Sequence, residues 1–188
     1  PQDSLLYTNI MAKTIRQRFY HGWSQYTWKN NWVLWLISPM HPHTMGIVKP
    51  NDLMKYPEAL CSQQSIVGMI ALRNKGFTYR KVGFFDTLTQ TGHFTYEIKL
   101  ADKWHFFDVD KELDFNVLTK SNRPSIEILA SDTTLRRKAY AQYDSSIQDD
   151  LISSYDNKHV ENEFPAKNML LLHDITRLLS YGMWAIAI

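Results

Sequence analysis

The 188-residue sequence contains a single cysteine, Cys61. One cysteine excludes an internal disulfide framework, although it does not fix the cellular compartment. The sequence also lacks an Asn-x-Ser/Thr motif, so glycosylation gives no sign of a eukaryotic secretory route. Internal repeats and low-complexity segments are missing too, which sets aside repeat architectures.

A strong excess of charge of either sign is absent as well. The 21 basic and 19 acidic residues leave a net charge of +2, which gives no support for nucleic-acid binding. The one basic cluster, Arg136-Arg137-Lys138, is predicted to be the solvated face of a helix. Hydrophobic residues make up 44% and aromatic residues 13% of the chain, enough for the packed core of one domain.

No apolar run reaches the roughly 20 residues that a membrane-spanning helix needs. Residues 178–188 carry no charge but are too few to cross a bilayer. They are expected to form a terminal helix docked on the core or, alternatively, to open a span that continues beyond residue 188.

The middle of the sequence predicts one helix followed by an antiparallel meander. Ile66, Met69 and Ile70 recur at helical spacing after Cys61, and Gly76 is a natural helix stop. Strict alternation of polar and apolar residues then indicates strands. The predicted helix covers residues 61–74, the predicted strands cover 77–85, 93–100 and 104–109, and a two-residue Asp102-Lys103 turn joins the last two strands.

The flanking segments are predicted to be helical. Trp28, Trp32 and Trp35 recur at helical spacing, which is typical of a stripe buried in a core. The fold class is therefore predicted to be α+β, with a cysteine-bearing helix packed on an antiparallel sheet and further helices at both ends. The flanking helices are predicted at residues 4–23, 133–143, 145–155 and 166–188.

The order and spacing of Cys61, His93 and Asp108 predict a thiol catalytic triad. A thiol acts as a nucleophile only as thiolate, and the partial positive charge at a helix start favours that anion. His93, on the next strands, would act as general base and later as general acid. Asp108 would orient the imidazole and stabilise its cation, with Asp110, at the same strand parity, as the alternative. The backbone N–H of Cys61 is the first candidate for an oxyanion donor.

Each of these residues also has an ordinary structural explanation, since a lone cysteine before an apolar helix is often a small core residue. Among the other histidines, His105 is predicted to be exposed. His41 and His43 flank Pro42 in a predicted loop and lack a nearby thiol or carboxylate, so we expect no metal site there. Trp104 is predicted to pack beneath the hairpin. No metal or organic cofactor is expected.

The stretch from about residue 51 to residue 111 resembles the core of the transglutaminase-like superfamily, whose triad is similar to that of papain-type cysteine proteases. The His93-to-Asp108 interval fits the family. The sequence departs from the family pattern at three places. Phe94-Thr95 follows the histidine where the family often has Ala-Trp, and Leu60 precedes the cysteine where it often has Gly. Asp108-Val109-Asp110 ends the last strand where Asp-Pro-Thr is common. The matching residues are Leu72-Arg73-Asn74-Lys75-Gly76-Phe77-Thr78-Tyr79-Arg80-Lys81-Val82, Gly92-His93, Glu97 and Trp104-His105-Phe106-Phe107-Asp108.

The resemblance implies an acyl-enzyme formed at Cys61 from an amide or ester of a protein or peptide substrate. Water as acceptor would make the protein a cysteine peptidase or amidase, and an amine acceptor would make it a transglutaminase. Family members of this size are frequent in bacterial cell envelopes. The resemblance therefore implies a bacterial, extracytoplasmic, envelope-associated domain with a membrane tether beyond the C-terminus. The alternative is a catalytically inactive binding or scaffold module with the same fold. The whole chain, residues 1–188, is expected to be one transglutaminase-like domain, with a core at about 51–111 and helical extensions at 1–37 and 131–188; the oligomeric state stays open.

Overall fold

The structure is a computed structural model that describes residues 2–86, 91–112, 114–144, 148, 152 and 154–186. Its architecture is mixed α/β, an antiparallel sheet with packed helices. The helices are α1 (Gln2–Arg18), α2 (Trp32–Ile37), a 3₁₀ helix (Pro42–Met45), α3 (Pro50–Leu53), α4 (Cys61–Arg73), α5 (Phe115–Lys120), α6 (Ile126–Ser131), α7 (Thr133–Ala139) and α8 (Lys167–Ile186). The strands are β1 (Tyr20–His21), β2 (Glu58–Ala59), β3 (Thr78–Asp86), β4 (Thr91–Leu100), β5 (Lys103–Phe107) and β6 (Tyr155–Asp156).

The main sheet has the strand order β5-β4-β3-β6, and all its neighbours are antiparallel. The β4–β5 hairpin turns at Ala101 and Asp102, whose φ angles are 47° and 61°. Lys103 already pairs with Leu100, so the predicted Asp102-Lys103 turn is wrong by one residue. A two-residue hairpin turn of this kind requires positive φ at both central positions, which here are Ala101 and Asp102.

Helix α4 packs on one face of the sheet because Gly68 allows a close approach. A Cβ atom at Gly68 would lie 2.7 Å from the hydroxyl of Tyr96 on β4. The hydrophobic core at this contact includes Met69, Leu72 and Ile98, all fully buried, and it extends to α1 through Ala12 and Ile15. The cysteine-bearing helix is therefore held between α1 and the sheet.

The opposite face of the sheet is also covered. A second core cluster joins Val82 and Phe106 of the sheet to Leu118 and Leu129 of α5 and α6. The polar side of β4 is consequently buried, and Glu97 there accepts hydrogen bonds from Arg80 Nε at 2.6 Å and from the Ile126 backbone N–H at 2.8 Å. Those two bonds compensate the buried carboxylate for lost water.

Helix α8 docks on the molecule through polar contacts at α2 and α3. Arg177 binds Asp52 at 2.5 Å, and the indole N–H of Trp32 donates to the Ser180 carbonyl at 3.0 Å. The outward face of α8 carries exposed Leu171, Ile175 and Leu178. In the part of the chain that the structure describes, no helix combines the length and apolar character needed to span a membrane.

Three further local predictions are wrong. The first helix ends at Arg18 rather than near residue 23, because the chain beyond it pairs in parallel with Glu58–Ala59. Trp28 and Trp35 are 60% and 51% exposed, since α2 begins only at Trp32 and turns Leu34 to the core.

The third wrong prediction concerns His105, which is buried, with Nδ1 2.8 Å from the Arg123 carbonyl. The helix predicted at residues 145–155 lies mostly outside the described residues, and Tyr155 belongs to β6.

Candidate active site

Cys61 is the first residue of α4, and strand pairing and a side-chain hydrogen bond hold the residues just before it. Strand β2 pairs with β1, which places Ala59 against His21. The Leu60 backbone N–H then donates to Gln63 Oε1 at 3.0 Å, which satisfies a donor at the helix start. Cys61 is a free, partly exposed thiol in a first helical turn, where backbone N–H groups lack intrahelical partners.

His93 lies near the start of β4, where the first turns of α4 cross the strand. The crossing is fixed by Ser65, whose hydroxyl donates to the Phe94 carbonyl at 3.0 Å. The imidazole of His93 is buried and stacks on Phe84, with 5.6 Å between ring centroids. This packing places the imidazole beside the first turn of α4, which begins at Cys61.

Asp108 directly follows β5 and forms the hydrogen bond that orients His93. His93 Nε2 lies 2.8 Å from Asp108 Oδ2. The same oxygen accepts from the Tyr140 hydroxyl at 3.0 Å, and Asp108 Oδ1 accepts from the backbone N–H of Lys111 at 2.9 Å. The fully buried carboxylate is thus held by several donors, as buried charges require.

Burial and charge act in opposite directions on this pair. Burial by itself lowers the pKa of His93, but the charge and hydrogen bond of Asp108, with a smaller contribution from Cys61, outweigh it and raise the pKa to about 9. Burial raises the pKa of Asp108, yet the contacts from His93, Lys111 and Tyr140 leave it below its usual value. His93 and Asp108 therefore form an imidazolium–carboxylate pair at neutral pH.

The thiol of Cys61, the imidazole of His93 and a second carboxylate, that of Asp110, lie close together. Atoms of Cys61, His93 and Asp110 all lie within 4.8 Å of one another. Because Nε2 of His93 is bound to Asp108, Nδ1 is the nitrogen left for the thiol. His93 Nδ1 is buried and has no hydrogen-bond partner within the described part of the chain.

Asp110 is held by contacts other than His93. Its Oδ1 lies 2.8 Å from His21 Nδ1 and accepts from Gln64 Nε2 at 3.2 Å. Arg16 donates to its backbone carbonyl. The structure therefore brings both candidate carboxylates to the site, with Asp108 bonded to the imidazole and Asp110 beside the thiol.

A thiol, an imidazole and a carboxylate are also the ligand types that Zn²⁺ takes, and a water molecule would complete a tetrahedral shell. Cys61, His93 and Asp110 are the group of described residues with that spacing. His41 and His43, the metal candidates weighed from the sequence, are exposed and belong to no such group among the described residues.

Sequence reasoning missed several polar partners of the site: His21, Gln63, Gln64 and Tyr140. Gln63 had a detectable signal, because glutamine at the third helical position is part of a helix-start pattern. His21 and Tyr140 had none, since each reaches the site from a distant segment of the chain.

Comparison of the chain with protein-family models, with curated proteins and with solved structures finds no match.

Proposed function

We propose that Cys61 is the nucleophile of a thiol-dependent acyl transfer or amide hydrolysis. One observation carries the proposal: His93 is bound through Nε2 to buried Asp108 and keeps Nδ1 unpaired within the described residues, beside the thiol. An oriented base next to a nucleophile, itself held by a third group, is the arrangement that covalent catalysis requires.

The residues account for each step of such a reaction. Cys61 Sγ attacks the substrate carbonyl, the carbon–sulfur bond forms, and the carbon–nitrogen or carbon–oxygen bond breaks. His93 gives its proton to the leaving group and then takes one from the acceptor, whose attack on the thioester breaks the carbon–sulfur bond and returns Cys61 as thiolate. Asp108 stabilises the imidazolium, and the Cys61 backbone N–H is available to the oxyanion. Water as acceptor gives hydrolysis, and an amine gives transamidation.

A transglutaminase-like fold in one domain is part of the same proposal. It is supported by the placement of Cys61 at the start of α4, with His93 and Asp108 on or next to adjacent antiparallel strands. It is also supported by a core that joins α1, α4 and the sheet, against which Met169 of α8 packs. Location in a bacterial cell envelope stays a prediction from the sequence resemblance.

The proposal is tested by the rate of Cys61 alkylation between pH 5 and 10, followed by intact mass in the presence of a chelator. A thiolate stabilised by His93 should react at pH 6 nearly as fast as at pH 8. His93→Ala should slow the reaction at pH 6 about tenfold or more. His41→Ala, which removes an exposed histidine, is the matched control and should change nothing. A midpoint at or above about 8.5, the value of a free thiol, in both wild type and His93→Ala would refute the proposal.

A second candidate, a binding module with an unreactive thiol, is favoured by Asp110. Its carboxylate lies within 4.8 Å of the thiol, and two negative charges at that distance repel each other. The same alkylation series with Asp110→Asn separates the two candidates. If Asp110 holds the thiol protonated, wild type should be slow at pH 6 and Asp110→Asn at least about tenfold faster, whereas the enzyme proposal expects wild type itself to be fast.

A further inference from the structure

A cavity of about 540 Å³ lies beside the first turn of α4. Leu60 and Ser62, the neighbours of Cys61 in the chain, both line it, so it lies beside the segment that carries the nucleophile. Trp23 and Met169 form two of its other walls. Its volume lies in the range of pockets that bind small molecules or large side chains.

Helix α4 turns different faces to the sheet and to the cavity. Gln64 and Ser65 contact the sheet side, through Asp110 and the Phe94 carbonyl. Ser62 and Ile66, four residues apart, share the face that lines the cavity. Cys61 begins the helix on the face of Ser65, four residues on, and its chain neighbour Ser62 begins the face that lines the cavity.

This arrangement assigns the two halves of a substrate to two sides of Cys61. His93 must protonate the leaving group, so the leaving group lies on the sheet side, where His93 is. The acyl group stays bonded to Sγ and extends away from the leaving group. The acyl half is therefore directed to the cavity side of the helix.

The chemistry of the lining selects apolar groups. Gln63 is 4% exposed, and its amide N–H groups donate to the carbonyls of Ser24 at 2.6 Å and Ile47 at 2.9 Å. Its oxygen accepts from the backbone N–H groups of Ser24 at 3.2 Å and Leu60 at 3.0 Å. These four bonds use the hydrogen-bonding capacity of the amide, so Gln63 offers no free polar group to a ligand. Among the described residues, no Asp, Glu, Lys or Arg lines the cavity.

Trp23, which forms one wall of the cavity, packs closely against the backbone at Gly46. A Cβ atom at Gly46 would lie 2.9 Å from the indole nitrogen of Trp23, so the glycine lets the ring lie against the backbone there. Trp23 is 41% exposed and contributes aromatic surface to the cavity lining.

We propose that this cavity binds a bulky apolar side chain on the acyl side of the scissile bond. The preferred substrate is then a peptide amide with an aromatic or branched aliphatic residue immediately before that bond. The proposal rests on the acyl-transfer function of Cys61 and specifies its substrate class. A charged side chain at the same position is disfavoured, because no described Asp, Glu, Lys or Arg lines the cavity to pair with it.

The test compares two chloromethyl ketones that differ only in the acyl-side residue, acetyl-phenylalanyl and acetyl-glycyl. Each alkylates Cys61 with loss of chloride, and intact mass gives the two rates because the chain has one cysteine. Iodoacetamide, which has no acyl-side residue, reports the reactivity of the thiol itself. We expect the phenylalanyl reagent to react about tenfold or more faster than the glycyl reagent, as burial of an aromatic side chain implies.

The readout in variants is the ratio of the two rates. Ser62→Trp fills the mouth of the cavity and should bring the ratio close to 1. Lys75→Trp, an equal substitution at an exposed position just beyond α4, should leave the ratio as in wild type. If circular dichroism shows that Ser62→Trp does not fold, Met169→Trp fills the cavity from α8 instead.

The outcomes distinguish this inference from the proposed function. Equal rates for the two ketones in wild type, or a ratio that neither cavity substitution lowers, would overturn the pocket assignment. Fast iodoacetamide reaction at pH 6 would in that case leave the thiol nucleophile standing. A thiol that reacts with none of the three reagents would overturn the proposed function, and the pocket assignment with it.

Discussion

At the scale of single residues, the site depends on which carboxylate contacts which partner. Asp108 is bonded to the imidazole, whereas Asp110 lies between His21 and the thiol. The first contact stabilises an imidazolium, and the second places a carboxylate beside the thiol. Alkylation of Cys61 in wild type and in Asp110→Asn therefore measures what each carboxylate contributes to the site.

The His93–Asp108 pair gives stability a specific pH dependence. The folded-state pKa of His93 is about 9 against an ordinary 6.5, so its contribution is complete below about pH 6.5 and lost as pH rises through 9. That shift corresponds to at most about 3 kcal/mol. We expect the stability advantage of wild type over Asp108→Asn, measured by urea unfolding, to shrink steadily between pH 6.5 and 9. An advantage that is constant or grows over this range would contradict the pairing.

At the scale of elements, the contact between α4 and β4 sets the distance from Cys61 to His93. Gly68 and Ser65 lie on the side of α4 that faces β4, and the absence of a side chain at Gly68 makes the contact close. A substitution at Gly68 should therefore alter both the packing of the core and the position of Cys61 relative to His93.

We expect Gly68→Ala to destabilise the protein, because the new methyl group would press on the buried ring of Tyr96 at a cost of about 1–3 kcal/mol. Alanine gains about 1 kcal/mol in a helix interior, so the net loss of stability should be about 0–2 kcal/mol. Gly182→Ala in α8 is the control, because a Cβ atom there meets nothing within 4 Å. Urea unfolding should show the control unchanged or more stable, and a stabilised Gly68→Ala would show that α4 is less closely packed.

At the scale of the whole molecule, a fully buried ion pair connects distant parts of the chain. Arg123 binds Glu112 with two hydrogen bonds, of 2.9 and 2.7 Å. It also donates to the Phe106 carbonyl and to Asn9 of α1. The pair thereby joins α1, the end of β5 and the segment after the site.

Removing one member of this pair should cost more than removing both. We expect Arg123→Met to destabilise by about 3–5 kcal/mol, because it removes the partner of buried Glu112, and burial already raises the pKa of that carboxyl to about 7. The double variant Glu112→Gln/Arg123→Met should be less destabilised than Arg123→Met alone. The exposed pair Lys99–Glu161, 3.4 Å apart, is the control and should contribute under about 1 kcal/mol. Strict additivity in the Glu112–Arg123 cycle would show that the pair is not coupled.

The sequence by itself determined the local features. Helical spacing after Cys61 and alternation after Gly76 predicted α4 and the meander, because periodicity depends only on which face of an element is buried. The candidate residues Cys61 and His93 were likewise found from their order and spacing, and the structure brings them together.

Only the tertiary structure decided how distant segments meet. Asp108 and Asp110 share one strand parity, so the sequence left both open, and packing against Tyr140 and His21 separated their contacts. Exposed Trp28 and Trp35 resemble core residues in sequence, because hydrophobicity alone does not state which face of a short helix is covered. The apolar cavity beside Cys61 likewise exists only where four separate segments converge, which no local pattern records.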